Sequence, residues 1–348
     1  MQLDMHFHAT HAIALLAGLS EEDALTVATA AEFVDNADSS NPEKNENKEL
    51  FFAIATAHHP AKAVVTSAFH PEIHRLVWVP FHFLPGGEGS TLEEKLLCVK
   101  NGKIVNQMFQ HYLEKSGKDF YWHLLGIASH VYLDTFSHYG FSGIASELNE
   151  IANGSIKFKV QDQGIHDYLW SKFEKFSVNY GNEVLELASK GLGHGAVATF
   201  PDRPYLTWEF EYENPRGKNG NVKSGKRNNP ETFLEGLEKL HHYLVKASKN
   251  SGNGKPTDFS KVKDEIDGIL RVEADKEGRC SLWQDFIQKH FGINSEYPGE
   301  EWGEEKDEFE NKVSPEAIGN CYRFHQAAAI HRWYVLKDLL PEHGIYCA

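Results

Sequence analysis

From Phe120 to Gly143 the chain reads FYWHLLGIASHVYLDTFSHYGFSG, and Asp134 is its only Asp, Glu, Lys or Arg. A helix this apolar on every side belongs inside a protein, because a surface helix keeps one polar face. Within it His123, Ile127, His130, Asp134 and His138 follow one another at steps of 4, 3, 4 and 4, which lines them along one stripe. Three histidines and a carboxylate therefore share a buried face. An unpaired buried carboxylate costs roughly several kcal/mol, and no Lys or Arg in this segment can neutralise Asp134. A metal ion meets that need. His130 and His138 lie about 12 Å apart along the axis at about 1.5 Å per residue, so two ions sharing Asp134 fit better than one ion taking both rings. The plainer alternative is a set of core histidines bonded to backbone or hydroxyl groups.

A metal needs further ligands, and three other places supply them in apolar settings. Asp35 lies on the stripe of Ala24, Ala28 and Ala31 in the run SEEDALTVATAAEFVDNAD, so its carboxylate projects from a buried helical face. His82 sits in VWVPFHFLPGG, and His194 in LGHGAVATFPDRPYL lies between glycines that let a backbone come close. The opening LDMHFH adds Asp4, His6 and His8; if extended, these face one side.

The dominant period elsewhere is helical. Ser20 and Asp23 open a helix in the manner of a capping box, and three- and four-residue apolar steps predict helices near 20–35, 47–59, 91–116, 119–139, 162–191, 230–250, 259–277, 280–290 and 314–339. The Gly-, Asn- and Lys-rich stretch inside 200–230 reads as an exposed loop. A second break at about 292–313, which holds the acidic residues from Glu300 to Glu310, reads as a solvated surface segment. The expected fold is thus all-α, one helical domain over 1–348 with a buried central metal-binding helix. Residues 1–210 carry the metal core and 230–348 add helices.

The formal charge of −15 repels long nucleic acids and anionic membrane surfaces. Cys98, Cys280, Cys321 and Cys347 have no paired spacing, so reduced thiols are expected. With no basic leader and no run of about 20 apolar residues, neither export nor a membrane span is expected, and a cytoplasmic setting follows.

The order of an N-terminal His, an Asp ending an early helix, a His in an aromatic His-Phe setting, an H-x-x-x-D helix and later histidines resembles the zinc-dependent phospholipase C and single-strand-specific nuclease superfamily. More narrowly, AEFVDNAD, PFHFLPG, HVYLDTFSHYGFSG and LGHGAVATFPDRPYL look like a bacterial family known as a domain of unknown function. The resemblance covers roughly residues 1–210. It implies an all-helical fold holding two or three zinc ions that hydrolyse phosphate esters. On this sequence His130 and Asp134 match the H-x-x-x-D pair, with Asp134 bridging. Asp35 and His82 complete the first site, His138 and His194 serve the second, and His6 with Asp4 makes the third. Asp4 stands in for the N-terminal amine that the superfamily uses. The His after the bridging Asp comes four residues later instead of six, and no second H-x-x-x-D/E pair follows.

The expected function is hydrolysis of a small phosphate-containing substrate by a metal-activated water, with Asp134 and Asp35 as the catalytic carboxylates. His123, Asp202 and Arg203 would orient ligands or contact substrate. An HD-type phosphohydrolase, using His166 and Asp167, is the alternative enzyme, and a metal-binding module without turnover is the third reading.

Overall fold

The computed structural model describes residues 1–39, 42–44, 50–57, 71–178, 191–217, 220, 222–251, 254–307 and 319–347. After a wide π turn over Asp4–Ala9, α1 spans Thr10–Leu16 and α2 spans Glu21–Asn36. Ser20 caps α2 by accepting the Asp23 N–H at 3.1 Å, and Glu21, Glu22 and Asp23 place negative charge on its first turn, where the helix dipole favours it. A second π turn runs from His74 to His82 with Pro80 inside it. Then come α3 (Lys103–Leu113), α4 (Tyr121–Ser137), α5 (Gln163–Val178), α6 (Asn229–Ser251), α7 (Lys263–Leu270), α8 (Lys276–Phe291), α9 (Gly299–Asp307) and α10 (Gly319–Tyr334).

The apolar run forms α4, in which every residue but Trp122 is buried. It is flanked by α2, α3, α6 and α10. Its closest neighbour is α2, because Gly126 has no side chain: a Cβ there would stand 2.5 Å from both the Ala30 methyl and the Val27 carbonyl oxygen. The main core draws on both halves of the chain, from Met5 and Ile13 through Leu124 and Leu133 to Phe324 and Leu340.

The expectation of an all-α chain is corrected by two pieces of sheet. Strands β1 (Pro42–Lys44) and β2 (Leu50–Phe52) pair as a short antiparallel ladder, and β3 (Lys157–Lys159), β4 (Thr207–Arg216) and β5 (Val222–Asn228) form an antiparallel sheet in the order β3-β4-β5. The fold is therefore mixed. Along β4, Trp208, Phe210 and Tyr212 are buried while Glu209 and Glu211 are exposed, the period of two that a half-buried strand requires. The stretch read as an exposed loop is thus largely a hairpin, whose second strand, Val222–Asn228, itself has the composition of a loop. Its register sets Trp208 opposite Arg227 and Phe210 opposite Gly225, and the Phe210 ring lies where a Gly225 Cβ would go.

Other boundaries shift as well. Leu50–Phe52 is strand where a helix over 47–59 was expected, and residues 58–59 lie outside the described residues. The span 91–116 breaks into a single turn at Leu92–Lys95 and α3. Helix α5 is described to Val178, and 179–190 lie outside, as do 308–318 with Glu308 and Glu310. Among the described residues, no helix is long and apolar enough to cross a membrane.

A smaller core fixes the second half of the site. Trp208 and Phe210 stack at 4.9 Å, Phe210 lies on Phe141, and Phe200 meets Trp208 edge-on. With Phe83, Val197 and Leu206 they form one buried cluster, which seats the hairpin against the loop after α4 and the 194–206 segment.

Candidate metal centre

Asp134 lies at the middle of the constellation. Its Oδ1 is 3.2 Å from His6 Nε2 and 3.0 Å from the Met1 nitrogen; its Oδ2 is 3.1 Å from His130 Nε2, 3.5 Å from His82 Nδ1 and 3.6 Å from His138 Nδ1. Helix α4 positions Asp134 and His130 one turn apart, and the π turn at Asp4–Ala9 brings in His6, whose ring stacks on His130 at 3.8 Å. Asp35, on the last turn of α2, comes within 3.7 Å of His82 Nδ1 and 4.0 Å of both His130 Nε2 and His6 Nε2. At the far end His138 Nε2 is 3.2 Å from Asp202 Oδ1, and His194 Nε2 is 3.6 Å from Asp202 Oδ2.

Among the described residues three groups therefore form, each with its ligand atoms within 4.8 Å of one another: His6, His130 and Asp134; Asp35, His82 and His130; and His138, His194 and Asp202. His130 is common to the first two. Asp134 reaches His138 of the third.

The outward nitrogens of four of these rings are already used. His130 Nδ1 donates to the Ala31 carbonyl at 2.8 Å, His82 Nε2 to Thr56 at 2.8 Å, His138 Nδ1 to His82 at 2.9 Å and His194 Nδ1 to Ala198 at 2.7 Å. A ring that donates outward presents a lone pair inward when neutral. Inward, however, the rings meet acceptors: carboxylate oxygens, and in one case each other, with His130 Nε2 3.2 Å from His82 Nδ1. Neither nitrogen of buried His6 has a hydrogen-bond partner, nor has Asp134 Oδ2. Lone pairs facing lone pairs need a cation between them, and main-chain anchoring of the far nitrogen is how metal-binding histidines are commonly oriented. This donor set, imidazole with carboxylate, fits zinc and similar first-row ions.

Electrostatics leave some of these rings ligand-ready, whereas His82, which burial would lower, is held up by Asp134 and Asp35. Burial pushes His6 down to about 3 and His194 down to about 4, so both rings are neutral at neutral pH. Burial alone would raise the Asp134 carboxyl, but His138, the Met1 amine, His130 and His6 hold it well below the usual range. Burial would likewise raise Asp202, which the Met1 amine, His194 and His138 hold down. The Met1 amine is held up to about 11: burial would lower it, and Asp134, Asp202 and Asp35 outweigh that.

The structure thus brings Asp35, His6, His82, His130, Asp134, His138 and His194 together. Asp4 is a correction. It lies in a helical turn instead of an extended segment, and its carboxylate takes Arg279 of α8, Nε to Oδ2 at 2.7 Å, with Arg279 also donating to Gln2. A pairing partner 275 residues away leaves no trace in local spacing. This buried pair fixes the entry of the N-terminal turn, so Arg279→Met is expected to cost about 3–5 kcal/mol by stranding Asp4, read as a fall in the urea midpoint. An unchanged midpoint would show that the turn stands without it.

Asp202, expected to orient a ligand, joins the third group directly, and Ser137 Oγ donates to it at 2.9 Å. The Met1 nitrogen, 3.3 Å from Asp202, was passed over in favour of Asp4. His123 stays out: its Nε2 turns to Asn320 on α10 at 3.1 Å. Arg203 is buried, and its Nε donates to Thr199 Oγ1. His166 and Asp167 form an exposed pair on α5, without the buried ligands that an HD-type site needs. His8 and His11 are buried, with His11 bonded to Ser295 at 2.8 Å.

Residues 1–339 match a protein family described as a family of unknown function (DUF6765). No curated protein and no solved structure matches the chain.

Proposed function

The chain belongs to the DUF6765 family of unknown function, and for it we propose a metal-dependent hydrolysis of small phosphate esters. One observation carries this reading: four histidines anchored through main-chain carbonyls turn their remaining nitrogens on three carboxylates, and among the described residues Ser137, on Asp202, and the Met1 amine, on Asp134, are the donors between them. The resemblance to the zinc-dependent phospholipase C and nuclease superfamily supports two or three ions held by His6, Asp35, His82, His130, Asp134, His138, His194 and Asp202. When bound, such ions supply Lewis acidity and lower the pKa of water. Asp134 spans the groups and holds them in register. Asp35, whose side chain is 33% exposed while Asp134 is 1% exposed, is the carboxylate that solvent reaches, and it is placed to orient a water and take its proton.

A cavity of about 530 Å³ adjoins the end of α2 and is lined in part by Phe33, Asn36, Ala37, Tyr297 and His325. Its size and mixed lining suit a small organic group, and the metal-group residues are not part of that lining. The net charge of −15 disfavours a long polyanion.

The test is elemental analysis of the purified protein, with turnover of bis-p-nitrophenyl phosphate and p-nitrophenyl phosphate before and after chelation. Two or more equivalents of a first-row metal and chelator-sensitive turnover are expected. Less than one equivalent after loading with zinc, or turnover indifferent to the chelator, would sink the reading.

A further inference from the structure

The β4–β5 hairpin carries two arginines that the metal groups do not use. Arg216 and Arg227 are only 6% and 3% exposed. Both reach the residues that follow His138: Arg216 Nη1 donates to the Gly140 carbonyl and Arg227 Nη2 to the Tyr139 carbonyl. The Arg216 guanidinium lies 3.6 Å from the centre of the Tyr212 ring, and that of Arg227 lies 3.3 Å from the centre of Tyr139. The two heads converge. Arg227 Nη2 is 3.3 Å, Arg216 Nη1 3.7 Å and the Tyr212 hydroxyl 3.1 Å from the point that a Cβ on Gly140 would occupy; these two nitrogens are the ones that bond the Tyr139 and Gly140 carbonyls, and the remaining nitrogens belong to the same two heads. Gly140 has φ +80°, so the bare side of a left-handed glycine is what gives these groups room to meet.

Buried guanidiniums are ordinarily matched by carboxylates. Among the described residues neither of these is, and four nitrogens, Arg216 Nε and Nη2 and Arg227 Nε and Nη1, are buried without a hydrogen-bond partner. Attraction to carbonyls at the end of a helix explains one donor on each side chain and leaves the other four unexplained. It also gives no reason to bury two like charges side by side, where low polarity strengthens their repulsion. Cys98 supplies no counter-charge, because burial pushes its thiol up.

We propose that Arg216, Arg227 and the Tyr212 hydroxyl form a binding site for a tetrahedral oxyanion of the inorganic phosphate or sulfate class. Two positive charges match a dianion. Donors from two guanidinium forks and a hydroxyl exceed what the two oxygens of a carboxylate can accept. The site is separate from the metal groups and does not depend on the hydrolase reading.

The probe is sodium sulfate, titrated calorimetrically against chloride at equal ionic strength, into the metal-loaded protein and into the same protein after chelation. One saturable equivalent is expected in both. Sulfate binding that disappears on chelation would place the anion at the metal groups, overturning this site while leaving the hydrolase reading intact. Arg227→Lys keeps the charge but loses the fork, and Arg216→Gln loses the charge; each is expected to weaken sulfate by about tenfold or more. Melting curves keep folding defects apart from binding. Without sulfate, Arg216→Gln is expected to melt no lower than wild type, having lost an unmatched buried charge, and to gain less when sulfate is added. Equal sulfate affinity in wild type and both variants, or acetate binding as tightly as sulfate, overturns the site. So does an Arg216→Gln protein that melts lower without sulfate and responds to sulfate as wild type does, since the arginines would then only fasten the hairpin.

Discussion

Asp134→Asn is expected to lose at least one of the two or more metal equivalents. Every other member of the first two groups except Asp35 is an imidazole, and Asp134 is the more deeply buried of the two carboxylates, with Oδ1 toward His6 and Oδ2 toward His130, His82 and His138. An amide keeps the shape, halves the acceptor capacity and removes the charge. Outer-shell partners alone are worth about 10–100-fold in metal affinity or activity, so losing a carboxylate shared between groups is expected to exceed that range in turnover. Elemental analysis and phosphodiester assays on the variant check both parts. Full metal content in Asp134→Asn would remove Asp134 from the ligand set.

The second large effect is expected from Gly126→Ala, a change of one methyl at a residue that ligates nothing. In a solvated helix this substitution stabilises by about 1 kcal/mol. Here the new methyl meets the Ala30 methyl and the Val27 carbonyl oxygen at 2.5 Å and the Ala31 nitrogen at 3.1 Å. The backbone of α2 cannot move aside cheaply, so a net loss of about 1–3 kcal/mol is expected. Helix α2 also carries Asp35 and the Ala31 carbonyl that anchors His130, so metal affinity is expected to fall with stability. Gly268→Ala, in α7 with nothing within 4 Å of its Cβ, is the matched control and is expected to raise the urea midpoint. If both substitutions stabilise equally, α2 and α4 are not held apart by that contact.

What could be read from the sequence follows from where each constraint is encoded. The α4 stripe was legible because helical spacing alone places His130, Asp134 and His138 on one face. Asp35, His82 and His194 were legible as polar residues in apolar or glycine-flanked settings. The hairpin was obscured because the Gly-, Asn- and Lys-rich tip and second strand outweighed the short alternation of Trp208, Phe210 and Tyr212. The N-terminal Asp-x-His-x-His reads as period two, yet it lies in a π turn, whose wider winding is set by packing against α2 and α8. Asp202 has no periodic neighbours, since it ends a short 3₁₀ turn at Phe200–Asp202, and Arg279 is legible only once α8 is packed against the N-terminus.

The ligand set also fixes when, during synthesis, the centre can exist. His6 emerges early, Asp134 much later, and Asp202 about 200 residues after His6. At translation rates of about 5–20 residues per second, the first imidazole waits on the order of 10–40 s for its last carboxylate partner. Until α4 is made, His6, Phe7 and Ile13, all fully buried in the finished structure, have no central helix to cover them, and closing so long a loop must precede the reward of packing. The N-terminal turn, which packs on α8 as well as α2, therefore completes its docking only once most of the chain is made.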